Sequence, residues 1–202
     1  MKNNQLHLGC FNCPVDGWLN TDITPHIWIS KVPLMASLLY RAGKMPKDRY
    51  DQHRSGVFRK VRYLDLFKRL PFPDDSFQYV FSSHVFEHLP RASLMRLLKE
   101  LRRVLRPGGT MRVSVPDLTI MVKGYREEDG DAFVKAIFEI DQANAKNRHH
   151  WMYNEHSMRA MLSEAGFANI TRCQYRQGKC PNLESLDNRP EHSLFMEADK
   201  ED

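Results

Sequence analysis

The chain has 202 residues, of which 42% are hydrophobic, and this is enough for one domain to bury a core without disulfides or metal ions. Four cysteines, a polar start and the lack of any apolar run of membrane-spanning length lead us to expect a reduced, cytoplasmic protein with a single domain over 1–202. The net charge is +5, but ten Lys/Arg oppose only three Asp over 41–69, so an anionic partner should meet that segment first.

The first pattern in the chain is a strand, a glycine and a second strand that ends on an acid. Residues 5–8 and 18–22 are typical of short strands; the first leads into Gly9 and the second ends at Asp22. A glycine after a buried strand lets a ligand approach the backbone, and a carboxylate at the end of the neighbouring strand can accept hydrogen bonds from a ribose. The pattern predicts a nucleoside-binding site.

The loop between Gly9 and Asp22 indicates which nucleoside cofactor is favoured. A dinucleotide fold needs a helix N-terminus at the pyrophosphate and an acid about 20 residues beyond the glycines. Here only thirteen positions separate Gly9 from Asp22, and Pro14, Asp16 and Gly17 lie between them, so no full helix fits. S-adenosylmethionine has a ribose and an adenine but no phosphate. We therefore expect S-adenosylmethionine rather than NAD.

An insertion is predicted over 24–60. Its first half, 27–40, is apolar, with Pro33 well placed to open a helix, and its second half is basic. A helix of this kind most often covers a core or an active site. The alternative is a peripheral contact of 27–62 with a membrane surface, as interfacial helices make.

The rest of the chain alternates between predicted strands and helices. The helix over 94–105 should end at Pro107–Gly109, and the helix over 155–164 should be capped by Asn154 and stopped by Gly166. The alternation predicts an α/β layered sheet with right-handed crossovers between parallel strands. Strands are predicted over 61–65, 77–83, 110–115, 169–176 and 192–198, with a polar linker over 177–191 between the last two. A turn is predicted over 70–76, helices over 94–105, 131–143 and 155–164, and a second insertion over 116–153.

Motifs spread along the chain resemble the small class I S-adenosylmethionine-dependent methyltransferases. The resemblance implies a Rossmann-like, doubly wound, mainly parallel seven-stranded sheet with an antiparallel last strand and helices on both faces. It also implies a cofactor at the carboxyl ends of the first four strands. The motifs are Leu6–Gly9 with Gly17–Asp22, Leu64–Asp65 with Leu70–Phe77, Ser83–Leu89, Leu101–Gly109 and Met161–Phe167.

The same resemblance implies roles for single residues. Gly9 would face the methionine part of the cofactor, Asp22 would hold the ribose hydroxyls, and Asp65 would approach the adenine amino group. Ser83 and His84 would lie beside the transferable methyl group. The full set of expected cofactor-binding residues is Gly9, Cys10, Phe11, Asp22, Ile23, Asp65, Leu66, Ser83 and His84.

His84 is the candidate catalytic residue, as general base or as the group that orients the acceptor. It follows the fourth strand directly, and a histidine with an ordinary pKa of about 6.5 is mostly neutral at cytosolic pH. His88, one turn further on, is expected to face back into the helix layer. The alternative is that His84 only caps the next helix or bonds a neighbouring loop.

Phe11 departs from the family pattern, which usually has a second glycine at this position. A phenylalanine adopts positive φ only at a cost and could fill space that the cofactor needs. We predict a rearranged loop in which Asn12 supplies the unusual conformation. The alternative is a non-catalytic, methyltransferase-like binding module.

Two short motifs could indicate a metal site, but we expect none. His84–His88 matches the His-x-x-Glu-His pattern of zinc peptidases, yet it begins at a strand end and no third ligand is marked. Cys10 and Cys13 form a Cys-x-x-Cys pair, but Cys173 and Cys180 have six residues between them rather than the usual two to four or so.

The acceptor is expected to be a small molecule, with a lean toward an anionic compound or a glycan precursor. Both insertions, 24–60 and 116–153, are expected to cover the mouth of the site, because long segments between sheet elements are often lids. A nucleic-acid binder that uses the basic 41–69 segment is a further alternative, although no specific nucleic acid is expected. No pattern indicates an oligomeric state.

Overall fold

The protein is described by a computed structural model that covers residues 4–138 and 148–201. The strands are β1 Gln5–Leu8, β2 Leu19–Asp22, β3 Arg62–Tyr63, β4 Phe77–Ser83, β5 Leu105–Pro116, β6 Ala168–Cys173 and β7 Ser193–Asp199. They form one seven-stranded sheet in the order β3-β2-β1-β4-β5-β7-β6. The pairings among β1 to β5 are parallel, and β7 runs antiparallel to both β5 and β6. The predicted fold class, including the antiparallel last strand, is confirmed.

The helices connect these strands or lie in the two insertions. They are α1 His26–Ile29, α2 Met35–Arg41, α3 Lys47–Arg54, α4 Arg91–Val104, α5 Leu118–Lys123, α6 Gly130–Phe138, α7 Glu155–Glu164 and α8 Leu183–Leu186. The predicted helix over 131–143 is present as α6 up to Phe138, and its remainder lies outside the described residues. Among the described residues, no helix has the length and apolar character needed to cross a bilayer.

Several element boundaries differ from those predicted. β3 is shorter than the strand expected over 61–65, since only two of its residues pair with β2 at the edge of the sheet. α4 ends at Val104, before Pro107, because Leu105 already has extended backbone angles and begins β5. α2 begins at Met35, two residues after Pro33. The cap of α7 is as predicted, since the Asn154 side chain accepts from the Ser157 amide.

One face of the sheet carries the main hydrophobic core. In a strand, alternate residues point to the same face, so Leu6 and Leu8 of β1 lie on this side with Met111, Val113 and Val115 of β5. The apolar stripe of α4 and the buried side of α7 pack against them. The buried residues of these two helices are Leu94, Leu97, Leu98, Leu101 and Val104, and Met158, Met161 and Leu162.

The opposite face is covered by the segment 174–192, which is irregular except for the short helix α8. His7 of β1 and Phe81 of β4 point to this side, where Phe81 packs with Trp18 and with the buried Leu183 and Leu186. The sequence predicted 177–191 only as a polar linker. In the structure this polar segment is held against the sheet by charged groups.

Arg112 of β5 holds the segment 174–192 against the sheet. The Arg112 side chain is fully buried, and its guanidinium donates to both oxygens of Asp187, at 2.9 and 2.6 Å, and to Oε1 of Glu197 at 3.3 Å. It also donates to the backbone carbonyls of Gln174 and Gln177. Burial lowers the pKa of Arg112, but the bonds and charges of Asp187 and Glu197 outweigh burial and raise it above its ordinary value. The buried guanidinium is therefore charged, and the two acidic side chains around it compensate its burial.

Gly178 allows the segment to approach this network closely. A Cβ built on Gly178 would overlap Oε1 of Glu197 and Nη1 of Arg112. Glu197 also accepts from the backbone amides of Lys179 and Cys180, at 2.8 and 3.1 Å. The carboxylate is thus shared between the strand and the segment, and a side chain at 178 would separate them.

Replacement of Arg112 tests how strongly the segment depends on it. Arg112→Ala leaves two buried carboxylates without their cation, which typically costs about 3–5 kcal/mol, so the urea midpoint should fall sharply. Arg112→Lys keeps the charge but has fewer donors, so its urea midpoint should lie between those of the wild type and Arg112→Ala. The control is Arg96→Ala, an exposed arginine of α4 whose side chain, within the described ranges, bonds only Ser93. Equal losses for Arg112→Ala and Arg96→Ala would contradict the assignment.

The buried His7 predicts a pH dependence of stability. Burial lowers the pKa of His7 to about 4, with a smaller opposing effect of its bond to Asn20. The unfolded chain takes up this proton near its ordinary pKa of about 6.5, so the free energy of unfolding should fall as pH drops from about 6.5 to 4, by roughly 3 kcal/mol in total. Denaturant titrations at several pH values should show a smaller fall in unfolding free energy for His7→Gln than for the wild type. The exposed control His156→Gln should show the same fall as the wild type.

Candidate functional site

A cavity of about 430 Å³ opens at the carboxyl ends of β1, β2 and β4. We call it the Asp22 cavity. Its position is the one at which open α/β sheets bind ligands, and its volume lies within the range of about 300–1,000 Å³ that is usual for ligand sites. It is lined by Gly9, Thr21, Asp22, Ile23, Leu64, Leu66, Phe67, His84, Val85, His88, Leu89 and His150.

Gly9 and Asp22 shape the loop at one side of this cavity. Gly9 has a φ of +63°, and a Cβ there would overlap a methyl group of Val85, so glycine is required by conformation and by contact. The Asp22 carboxylate accepts from the amides of Phe11 and Thr24, at 2.9 and 2.7 Å. Asp22 therefore holds the loop in place and also presents its carboxylate at the cavity.

Phe11 takes the unusual backbone conformation itself. Its φ is +45°, so the expectation that Asn12 would supply the positive φ is wrong. The Phe11 ring is 36% exposed and lies under the Arg49 guanidinium, 4.4 Å from its centroid, and 6.2 Å from the Phe58 ring. Contacts with the insertion account for the strained conformation, and the ring does not line the Asp22 cavity.

The structure divides the nine expected cofactor-binding residues into two groups. Five of them line the Asp22 cavity: Gly9, Asp22, Ile23, Leu66 and His84. The side chains of the other four, Cys10, Phe11, Asp65 and Ser83, have contacts elsewhere. Their roles in binding remain predictions.

The contacts of these four side chains are specific. Cys10 is buried with Ile27 and Val61, and burial, followed by the charges of Asp22 and Cys13, raises the pKa of its thiol. Asp65 accepts from the Phe67 amide at 3.0 Å. Ser83 bonds Asn188 at 3.3 Å. Cys10 is thus a packed, protonated thiol rather than a redox group.

His84 lies at the end of β4 with a φ of +53°. Its Nε2 is 2.9 Å from Oγ of Ser193, and its Nδ1 is 3.2 Å from Oε1 of Glu87, although the latter pair is not aligned for a hydrogen bond. Glu87 is fully buried, and neither of its carboxylate oxygens has a hydrogen bond within the described part of the chain. A strained backbone and a buried acidic side chain next to one imidazole are typical of functional sites.

A second cavity, of about 680 Å³, lies on the other side of His84, and we call it the Arg189 cavity. It combines apolar side chains of α5 and α6 with charged groups. Among the residues that the structure describes, the guanidinium groups of Arg126 and Arg189 form no ion pair. The lining is His84, Pro116, Ile120, Met121, Gly124, Tyr125, Arg126, Asp129, Ala132, Phe133, Ala136, His149, Arg189 and His192.

The two insertions differ in their relation to these cavities. The second contributes Tyr125 to the Arg189 cavity, whereas Tyr153 is fully buried in the core and Trp151 lines a separate cavity of about 480 Å³. The described cavities have no lining residue from 24–60. The structure therefore places the second insertion at the site and the first outside it.

The His-x-x-Glu-His motif does not form a zinc-peptidase arrangement. Phe86–His88 is a 3₁₀ turn, so His84 and His88 do not share an α-helical face. His88 also lines the Asp22 cavity, so the expectation that it faces the helix layer is wrong. Within the described ranges, the one group with metal-ligand spacing is Glu87, His88 and His149, whose ligand atoms lie within 4.8 Å of one another. The four cysteines are free and fall outside that group.

Sequence reasoning missed several residues of the site. Val85 and Glu87 lie within a motif that was noticed, but only the folded turn shows that Val85 fills the space beside Gly9 and that Glu87 is buried against His84. Arg189 comes from the polar linker over 177–191, and His192 is the first residue of the strand predicted over 192–198. An arginine and a histidine three positions apart were the available signal.

The lining of the Asp22 cavity suits a nucleoside without phosphates. A carboxylate that can accept from a ribose diol lies between apolar side chains, such as Ile23 and Leu66, that can pack on an adenine ring. The loop over 10–18, all of it described, contains no helix whose N-terminus could bind a pyrophosphate. These residues fit S-adenosylmethionine better than a dinucleotide.

Comparisons with known proteins agree with this geometry. The sequence model of the family "Methyltransferase domain" matches residues 43–113. A demethylmenaquinone methyltransferase of Staphylococcus aureus (strain JH9) is 32% identical over 111 residues, which cover 50% of this chain and 44% of that protein. The chain thus spans less than half the length of the curated relatives it matches.

Solved structures share the fold at low sequence identity. A SAM-dependent methyltransferase from Archaeoglobus fulgidus superposes with a TM-score of 0.56 at 16% identity, covering 97% of this chain and 85% of that one. A Haemonchus contortus phosphoethanolamine N-methyltransferase in complex with S-adenosyl-L-methionine gives a TM-score of 0.51 at 13% identity, covering 98% and 48% of the two chains. Together with the sheet order, they show that the chain has the Rossmann-like fold of S-adenosylmethionine-dependent methyltransferases, and residues 43–113 match the methyltransferase-domain model.

Proposed function

We propose that the protein transfers a methyl group from S-adenosylmethionine, bound in the Asp22 cavity, to an anionic, partly apolar acceptor bound in the Arg189 cavity. The observation that carries the proposal is that His84 lines both cavities. A group that moves from one ligand to the other has to pass the boundary between the two cavities, and His84 lies on it.

The residues of the Asp22 cavity divide the work of binding. Asp22 would accept hydrogen bonds from the ribose hydroxyls, and Ile23 and Leu66 would contact the adenine ring. When bound, S-adenosylmethionine supplies a methyl group that is already activated by its positively charged sulfur. The protein's main contribution is therefore to orient the acceptor, which can supply several kcal/mol.

His84 would remove a proton from the acceptor when the reacting atom carries one. A small rotation would let Glu87, 3.2 Å from Nδ1, accept a hydrogen bond from that nitrogen, and this would leave Nε2 as the atom that accepts the proton. Nε2 now contacts the hydroxyl of Ser193, which can turn to another partner. Glu87 is on this argument a positioning residue, because it touches His84 and not the acceptor.

The Arg189 cavity supports an acceptor with a negative charge. Arg126, Arg189 and His192 provide donors for a phosphate or a carboxylate, and Phe133 and Ile120 provide an apolar wall. The relatives differ in acceptor, since one is named for demethylmenaquinone and another for phosphoethanolamine. Neither name identifies the acceptor of this chain.

The observation that motivated the non-catalytic alternative does not support it. It depended on Phe11 filling space needed by the cofactor, but the ring packs on Arg49 outside the cavity. Nucleic-acid binding by 41–69 remains a separate proposal that no described contact favours.

Calorimetry with S-adenosylmethionine and its demethylated product tests the proposal without an acceptor. Loss of a charge-assisted bond is worth about 1.5–3 kcal/mol, so Asp22→Ala should weaken binding roughly tenfold or more. The variant should remain folded. The control is Asp16→Ala, an 89% exposed carboxylate in the same loop that pairs with Lys60 outside the cavity. Unchanged affinity in Asp22→Ala would contradict the assignment.

His84→Asn tests the catalytic role, because asparagine tolerates positive φ but is no base. With an acceptor found by screening for release of the demethylated cofactor, kcat should fall about 100-fold or more while cofactor affinity stays nearly unchanged. The exposed control His156→Asn should leave kcat unchanged. A lower Tm with unchanged turnover per folded molecule would instead assign His84 a structural role.

A further inference from the structure

The first insertion presents an apolar surface that the rest of the described structure leaves uncovered. No residue of α2 is buried, although its sequence is mostly apolar. We call the exposed side chains of Trp28, Val32, Leu34 and Leu38 the α1–α2 surface. Leu34 is 80% exposed and Leu38, one turn further on, 66%. Apolar side chains clustered in this way usually mark an interaction site.

The packing of α2 explains why these side chains point outward. Tyr40 stacks on Tyr50 of α3 with ring centroids 4.5 Å apart, and Ser37 bonds the Tyr50 hydroxyl. This contact uses one side of the short helix and leaves Leu34 and Leu38 on another. Leu34 also has a φ of +60°, a conformation that bulky residues rarely adopt, so the backbone is held in a strained state that leaves an apolar side chain in water.

The charge of the same segment is strongly positive. Residues 27–62 contain nine Lys/Arg and two Asp, a net charge of +7. Lys31 lies 4.4 Å from the centroid of the Trp28 ring. Among the described residues, Lys31, Arg41 and Lys44 form no ion pair with a carboxylate. Cations therefore border the apolar surface and are available to a partner.

The surface continues to the edge of the Asp22 cavity. The Trp28 ring lies 5.9 Å from the Tyr63 ring, and Tyr63 is the register partner of Asp22. Ile23 and Phe67, which line the cavity, are themselves 57% and 53% exposed. A partner seated on the α1–α2 surface would thus be adjacent to the mouth of the site.

We propose that the α1–α2 surface and its flanking cations dock on a bilayer that contains anionic lipids. Exposed apolar side chains can enter the interface while Lys and Arg attract the headgroups, and tryptophan is favoured at that depth. A second copy of this chain is disfavoured, because a two-fold interface would bring two positive segments together. A nucleic acid would use the cations but gain nothing from Leu34 and Leu38.

Vesicle sedimentation tests this docking without methyl transfer, so its result is independent of whether the proposed function is correct. The wild-type protein should bind phosphatidylcholine vesicles that contain phosphatidylglycerol at least about tenfold more tightly than vesicles of phosphatidylcholine alone. Binding should weaken at about 1 M NaCl, where the Debye length is about 3 Å. Equal binding to both vesicles, or none, would overturn the proposal.

Two double variants separate the contributions. Leu34→Ser with Leu38→Ser should weaken vesicle binding about tenfold or more at every salt concentration. Arg41→Glu with Lys44→Glu should weaken it similarly at low salt and remove most of the salt dependence. The control is Val122→Ser with Lys123→Glu on α5, where Val122 is 55% exposed and neither residue lines a described cavity. All variants replace exposed residues, so an unchanged Tm should accompany them.

Two other occupants would be recognised by the same variants. A particle of twice 23.7 kDa in light scattering that reverts in Leu34→Ser with Leu38→Ser would show a second copy on the surface and overturn the proposal. Tighter binding to an RNA oligonucleotide than to anionic vesicles, lost in Arg41→Glu with Lys44→Glu, would do the same.

Discussion

The buried guanidinium of Arg112 is the constraint on which the arrangement of the site depends. It lies in the middle of β5, on the face opposite the main core, and two carboxylates and two backbone carbonyls surround it. A buried charge of this kind is costly unless it is fully compensated, so the segment that brings Asp187 cannot detach without leaving charges unpaired. The network therefore fixes the segment 174–192 against the sheet.

The Arg112 network also positions the residues that follow Asp187, and several of these contact or line the candidate site. Asn188 bonds Ser83 at the end of β4, and Arg189 and His192 line the larger cavity. Ser193, at the start of β7, bonds His84. The position of the Arg189 cavity relative to His84 is thus set by the Arg112 network, on the face of the sheet opposite the main core. A change at Arg112 should affect the Arg189 cavity before the Asp22 cavity, which is held by Asp22 and the loop after β1.

Both sides of the site meet at backbone positions with positive φ. Gly9 directly follows β1 and His84 directly follows β4, two neighbouring strands, and the Val85 side chain fills the space beside Gly9. The two chain reversals lie side by side and open the space between the strand ends. Glycine accepts this conformation without cost, whereas histidine does not, so the strain at His84 is maintained by its contacts with Ser193, Glu87 and the carbonyl of Ser114. The first insertion lines neither cavity, and the side chains of its α1–α2 surface are exposed.

The sequence by itself determined the sheet and much of the cofactor side. Strand periodicity and the order of elements predicted the α/β fold, and the short loop from Gly9 to Asp22 excluded a pyrophosphate helix. These features are local, because each depends on residues close together in the chain. Even here the local pattern predicted the positive φ at Asn12, whereas Phe11 adopts it. The contact between Arg49 and the Phe11 ring joins distant parts of the chain, so local sequence does not indicate it.

Only the tertiary structure decided how the Arg189 cavity is formed. Arg112 and Asp187 are 75 positions apart, and Ser193 and His84 are 109 apart, so no periodicity or spacing links them. The tertiary structure also turned a polar linker into a wall of the site and showed that His88 lines a cavity while Tyr153 lies in the core. A buried charge has to find its partners wherever the chain brings them, and that choice is made by packing in three dimensions rather than by neighbouring residues.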